Sequence, residues 1–165
     1  MSDEWVQIRI PATYQSLKSL EQPVEGVLAG VEVLAEPEST AYNVLLALHE
    51  LCTNIIRHAY VGEPGWIAIA MRIERQPLQL RISVLDQGSH TFDLNQWLAP
   101  DLSEPSNGGM GLWLITQLMD EVQYQPCAGD NRWHLVKTLT CLAPNTSHPI
   151  DSTLTTSATT GSLRK

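Results

Sequence analysis

The sequence predicts a two-layer α+β sandwich in which helices cover one face of a mixed, mostly antiparallel sheet. Three observations carry that expectation. Strand-like segments come in adjacent pairs, Trp66 to Arg75 with Leu78 to Leu85 and Val122 to Pro126 with Trp133 to Leu142, as hairpins do. Helical segments are grouped instead of alternating one for one with strands, as a doubly wound parallel sheet requires. The chain has 165 residues, 43% apolar and 17% charged, enough to bury one substantial core but not two.

Trp5-Val-Gln-Ile-Arg-Ile10 alternates apolar and polar residues and ends at Pro11, which reads as a short first strand at a sheet edge. Leu17, Leu20, Val24, Val27, Leu28, Val31 and Leu34 recur at three- and four-residue spacings, predicting a helix that tolerates Pro23 only in its first turn. Ser39 is the expected N-cap of a second helix running to about Ala59. This helix is apolar on more than one side, through Tyr42, Val44, Leu45, Leu46, Leu48, Leu51, Ile55 and Ile56, so it should be largely buried. Polar residues within it then need a reason.

Val61-Gly-Glu-Pro-Gly65 is a turn into the first hairpin. Asp86 to Gly109 is a connection rich in Gly, Ser, Asn, Pro and Asp, and one so long in a compact domain is usually functional. A helix from Met110 to Met119 starts straight from glycines and leads into the closing strands. Residues 1–142 therefore read as one domain, and the Ser/Thr/Pro-rich stretch 143–165, poor in large apolar residues, as a disordered tail.

A net charge of −8 and a pI near 5.0 argue against nucleic-acid binding, which draws on clustered Lys and Arg. There is no signal-peptide pattern and no bilayer-length apolar run, so the expected location is the cytoplasm, without membrane contact. Cys52, Cys127 and Cys141 lack disulfide or metal-ligand spacing.

Three constellations could carry chemistry. Glu50, Asn54 and His58 fall at i, i+4 and i+8 on the second helix, bordered by Arg57. An acid beside a carboxamide suits a proton acceptor next to a Mg²⁺ ligand, although such a stripe taken alone reads more simply as a solvated face. Asp86-Gln-Gly88 ends an apolar strand, where an Asp can accept from a purine amine or merely turn the chain. Gly108-Gly109-Met110-Gly111-Leu112 opens a helix, aiming backbone amides and the helix dipole at an anion, or forms a flexible loop.

The three occur in a specific order, and together they resemble the GHKL ATPase superfamily, which includes DNA gyrase, MutL and the histidine kinases. Within it the chain is most similar to the bacterial anti-sigma factor serine kinases. The resemblance rests on Glu50-Leu-Cys-Thr-Asn54-Ile-Ile-Arg-His58-Ala-Tyr60, on Asp86-Gln-Gly88-Ser-His-Thr-Phe92-Asp93 and on Gly108-Gly109-Met-Gly111-Leu-Trp-Leu-Ile115, and it spans about Trp5 to Leu142. His90 stands where many superfamily members carry a further glycine, while the Asp-x-Gly-x-x-Phe-Asp form matches the kinase branch.

The resemblance implies a Bergerat-type sandwich binding ATP and Mg²⁺. Glu50 would be the general base towards a partner's serine, and Asn54 the Mg²⁺ ligand. Asp86 would bind the adenine amine with Gly88 letting the backbone approach the ring. Gly109 and Gly111, with Met110 and Leu112 between and beside them, would border the nucleotide, Arg57 and His58 would be further phosphate contacts, and residues 89–107 would form the ATP lid. It also implies the partners: a STAS-type anti-anti-sigma protein as substrate, a sigma factor sequestered in alternation with it, and a homodimer. With no phospho-acceptor region before these motifs, a separate protein is expected to supply the acceptor. The competing expectations are a nucleotide-binding module that docks partners without phosphoryl transfer, and a regulatory ATP-binding domain acting in another response pathway.

Overall fold

The sheet is a continuous antiparallel ladder of five strands. In this computed structural model residues 4–92, 110–127 and 129–142 are described. The chain runs through β1 (Val6–Pro11), a 3-10 helix (Tyr14–Leu20), α1 (Glu21–Leu28), α2 (Pro37–Ile55) and a π-helical turn (Ile56–Tyr60). It continues through β2 (Trp66–Arg75), β3 (Leu78–Asp86), α3 (Met110–Leu118), β4 (Glu121–Gln125) and β5 (Asn131–Thr138). Strand order is β1-β2-β3-β5-β4. Every pair among the described residues is antiparallel, so no parallel neighbour makes this sheet mixed.

Register sorts the side chains. Ile67, Ile69 and Met71 of β2, Leu80, Ile82 and Val84 of β3, and Trp133 and Leu135 of β5 share one face and are buried. Against them α2 lays Val44, Ala47, Leu48, Leu51, Cys52 and Ile55, a stripe at three- and four-residue spacing. Burying each large aliphatic side chain contributes about 1.5–3 kcal/mol, so this seam dominates the fold's stability. The opposite face carries small or polar residues, including Ala68, Ala70, Ser83 and His134, which stay half-buried.

Three expectations are corrected. The helix read over Leu17 to Leu34 is broken: residues Tyr14–Leu20 wind as 3-10 helix and α-geometry covers only Glu21–Leu28. Pro23 has no N–H and its ring would collide with the carbonyl four residues back, so α-helix can start only just ahead of it. Val31 and Leu34 are buried instead by a loop that pairs Leu34 with Cys141, with Ala35 N donating to Thr140 O at 2.8 Å. That pairing also ends β5 at Thr138 instead of Leu142. The second helix starts at Pro37, not after Ser39, because proline at the first helical position has its φ already set and needs no donor. The expected tail, 143–165, lies outside the described residues, as does most of the expected lid. Among the described residues no helix is long and apolar enough to cross a membrane.

Candidate functional site

The polar side of α2 faces the start of α3. A Cβ placed on Gly111 would stand 2.8 Å from Glu50 Oε2, 3.3 Å from Asn54 Nδ2 and 3.6 Å from Asn54 Oδ1. Glycine is therefore what lets the helix start touch the acid–amide pair, because any side chain there would push the carboxylate aside. At that start the first-turn amides have no intrahelical acceptor and carry the positive end of the helix dipole, an anion-binding arrangement. Met110 is half exposed there, while the Leu112 side chain is buried in the core and can offer only its backbone. Gly109 lies outside the described residues.

The end of α2 departs from the regular helix that the sequence predicts. Ile56–Tyr60 form a π turn that closes on Val61 in the left-handed region, φ 49°. The wider turn changes the angular position of everything after Ile55, so His58 no longer stands one α-turn above Asn54. Its ring meets Phe92 edge-on at 6.2 Å, and it lines a small cavity shared with Asn54 and Asp86. Arg57 is exposed and does not line that cavity. The turn is pinned by Tyr60, whose hydroxyl donates to Trp66 O and accepts from Gln87 N at 3.0 Å. A Cβ on Gly65 would fall 2.0 Å from the Tyr60 ring, so no other residue fits beneath it.

Asp86 ends β3 on the core face and is only 1% exposed. Its Oδ1 accepts from Gly88 N at 3.0 Å and from Asn131 Nδ2 at 2.9 Å. Burial pushes its carboxyl above the usual range, and these two hydrogen bonds oppose the shift. The same burial, reinforced by the Asp86 charge, pushes the Cys52 thiol up to about 12. Gly88 lies flat on the π turn: a Cβ would come within 2.6 Å of the Ala59 backbone.

Asn131 and Tyr124 complete this end of the site, and sequence reading assigns neither a role. Asn131 Nδ2 also reaches Gly88 O at 3.3 Å and His90 O at 3.1 Å. Asn131 Oδ1 accepts from Cys127 N at 3.1 Å and the Tyr124 hydroxyl at 3.3 Å, and that hydroxyl accepts from Phe92 N at 2.8 Å. The Phe92 ring packs against Tyr124 and Trp133 at centroid distances of 6.4 and 6.1 Å. With it in place the cavity beside Asp86 measures about 10 Å³, room for about one water. Larger hollows of about 550 and 510 Å³ flank the Val31–Val33 loop, away from every residue singled out by the motifs.

The three sequence constellations thus converge. Glu50, Asn54 and Gly111 meet at one point, Asp86 and His58 line a neighbouring recess that shares Asn54, and Gly88 N donates to Asp86 beside it. A single carboxamide oxygen beside a helix N-terminus fits Mg²⁺, which is commonly held by one or two protein oxygens together with substrate phosphates.

Residues 10–136 match the family described as the histidine kinase-like ATPase domain. The chain is 32% identical over 132 residues to the serine-protein kinase RsbW of Bacillus cereus (strain AH187), covering 73% of this chain and 76% of that protein. It is 29% identical over 133 residues to the serine-protein kinase RsbW of Bacillus pumilus (strain SAFR-032), covering 75% and 80%. Its fold is shared with the crystal structure of the RsbU and RsbW domains of Rv1364c from Mycobacterium tuberculosis, with a TM-score of 0.60 at 20% identity over 85% of this chain. The chain spans 33% of the length of that protein.

Proposed function

The chain belongs to the histidine kinase-like ATPase domain family, among the RsbW-type serine-protein kinases, and on that premise we propose that it phosphorylates a serine of a separate partner protein. The partner we propose is a STAS-type anti-anti-sigma protein, with a sigma factor held in its place when that protein is phosphorylated. The observation that carries the reading is the contact of Gly111 with both Glu50 and Asn54, which sets a proton acceptor, a hard oxygen ligand and a helix N-terminus within one small volume.

In this reading Glu50 takes the proton from the serine Oγ as that oxygen forms its bond to the γ-phosphorus and the bridging oxygen departs with ADP. Asn54 Oδ1 is the protein's ligand for Mg²⁺, which when bound neutralises phosphate charge. The amides of Met110, Gly111 and Leu112 at the start of α3 would face the phosphates, and Gly109, which precedes them in the sequence, is kept as a further proposed nucleotide contact. At the other end Asp86 accepts from the base amine, while Gly88 keeps the backbone close enough to border the ring. His58, which lines the same recess as Asp86, is a base-side contact, and Arg57 is left as an outer phosphate contact.

The test is incubation of the protein with γ-labelled ATP, Mg²⁺ and a STAS-type partner, followed by mass spectrometry. The expected product is one phosphoserine on the partner and ADP in equal amount. ADP release with unmodified partner would replace the kinase reading with that of an ATPase.

A further inference from the structure

Asp86 and Asn131 are ladder partners at the end of the core face, and each is only 1% exposed. The apolar ladder rows Val84–Trp133 and Ile82–Leu135 give way at this one row to a carboxylate and a carboxamide. The orientation of the amide is fixed by what surrounds it. Its nitrogen faces three acceptors, Asp86 Oδ1, Gly88 O and His90 O, and its oxygen faces two donors, Cys127 N and the Tyr124 hydroxyl. A flipped amide would put its oxygen against three acceptor oxygens and an N–H against the Cys127 N–H, so Asn131 donates to Asp86.

We propose that Asn131 sets base selectivity, holding Asp86 as an acceptor-only carboxylate that takes a purine carrying a 6-amino group and refuses one carrying a 6-oxo group. This deepens the nucleotide reading above and rests on it. With two N–H groups already aimed at Asp86 Oδ1, a proton on that oxygen would collide with both, and Oδ2 is left for the base. A 6-amino group donates to a carboxylate, whereas a 6-oxo group opposes its own partial charge to it. A protonated Asp86 would reverse that preference by donating to the oxo group. Burial pushes the Asp86 carboxyl up, and the donors from Asn131 and then Gly88 favour its ionised form against that push.

Other titratable groups face Asp86 as well. Cys52 on α2 and Tyr124 on β4 both interact with its charge, and burial holds both in their neutral forms. His58 on the π turn and His90 after β3 line the same recess.

The proposal is tested by calorimetry of ATP and inosine triphosphate, with Mg²⁺, on the wild type and on Asn131→Asp and Asn131→Ala, each checked for native melting. The wild type is expected to prefer ATP by at least about a hundredfold, since sites built around one hydrogen-bonding substrate group strongly reject analogues that lack it. In Asn131→Ala the ratio should fall by tenfold or more. In Asn131→Asp the two carboxyls share one proton, which does the work of the lost N–H while it stays. ATP affinity should then fall as pH rises over about 6 to 9, as that proton leaves a pair of like charges, while the wild type stays flat. A merely structural asparagine would alter neither the ratio nor the slope. Should neither variant fold, a wild type binding both nucleotides equally overturns the proposal. Failure of the wild type to bind ATP removes the nucleotide reading itself. ATP binding with unchanged ratio and slope in folded variants removes only the role of Asn131.

Discussion

Glu50 and Gly111 stand on adjacent helices so close that a Cβ on the glycine would lie 2.8 Å from Glu50 Oε2. The atom in the way is the tip of a flexible side chain, not backbone. Gly111→Ala should therefore leave the melting temperature within about 2 °C of wild type, yet slow phosphoryl transfer by about a hundredfold, because a carboxylate displaced by an ångström loses its alignment. Equal melting with full transfer rate would show that the contact does not position Glu50.

The other glycines sort by the same geometry. Gly88→Ala would drive a methyl into the Ala59 backbone and should destabilise by about 1–3 kcal/mol. Gly26, inside α1 with nothing within 4 Å of its added Cβ, should gain about 0.5–1 kcal/mol on substitution by alanine. Urea titrations of both variants check the opposite signs.

Phe92 forms one wall of the recess beside Asp86, which at about 10 Å³ is too small for a purine, so a base that reaches the carboxylate must displace part of that wall. Phe92→Ala should raise the association rate of a fluorescent ATP analogue severalfold in stopped flow. An unchanged association rate would mean that the ring is no barrier.

Burial raises the Asp86 pKa above its unfolded value, which makes ionisation of this acid unfavourable to folding. Its contribution to stability is complete at pH below the unfolded value and is lost as pH rises through the folded one. Asp86→Asn keeps an acceptor for Gly88 N and Asn131 Nδ2 and removes the charge. It should melt higher than wild type at pH 7, with the advantage vanishing in acid, while ATP binding is lost. A variant that melts lower at neutral pH would contradict this.

Much of the fold is legible in the residues. The hairpin from Trp66 to Asp86 and the apolar stripe of α2 are written in the spacing of large aliphatics, which neighbouring elements cannot easily overrule. The α1 region is not legible in the same way, because apolar periodicity is the same whether helix or loop buries a residue; Pro23 sets only where α-geometry begins, and the pairing of Leu34 with Cys141 that holds the following loop is not visible in the spacing. Glu50, Asn54 and Asp86 stand out as polar residues in or ending apolar segments. Asn131 and Tyr60 do not, since their partners, Asp86, Trp66 O and Gln87 N, become neighbours only through strand register and the π turn. An asparagine at a strand start gives no hint of what faces it across the ladder.

The proposed catalysis turns on whether Glu50 deprotonates a protein serine. Single-turnover transfer from γ-labelled ATP to a STAS-type partner, by wild type and by Glu50→Ala with nucleotide affinity measured in parallel, decides it. Glu50→Ala should bind ATP as wild type does and transfer phosphate about a hundredfold to ten-thousandfold more slowly, the range expected for loss of a general base. Equal transfer rates would remove Glu50 from the chemistry, and binding without transfer by either protein to a partner that docks would make the chain a nucleotide-dependent docking module.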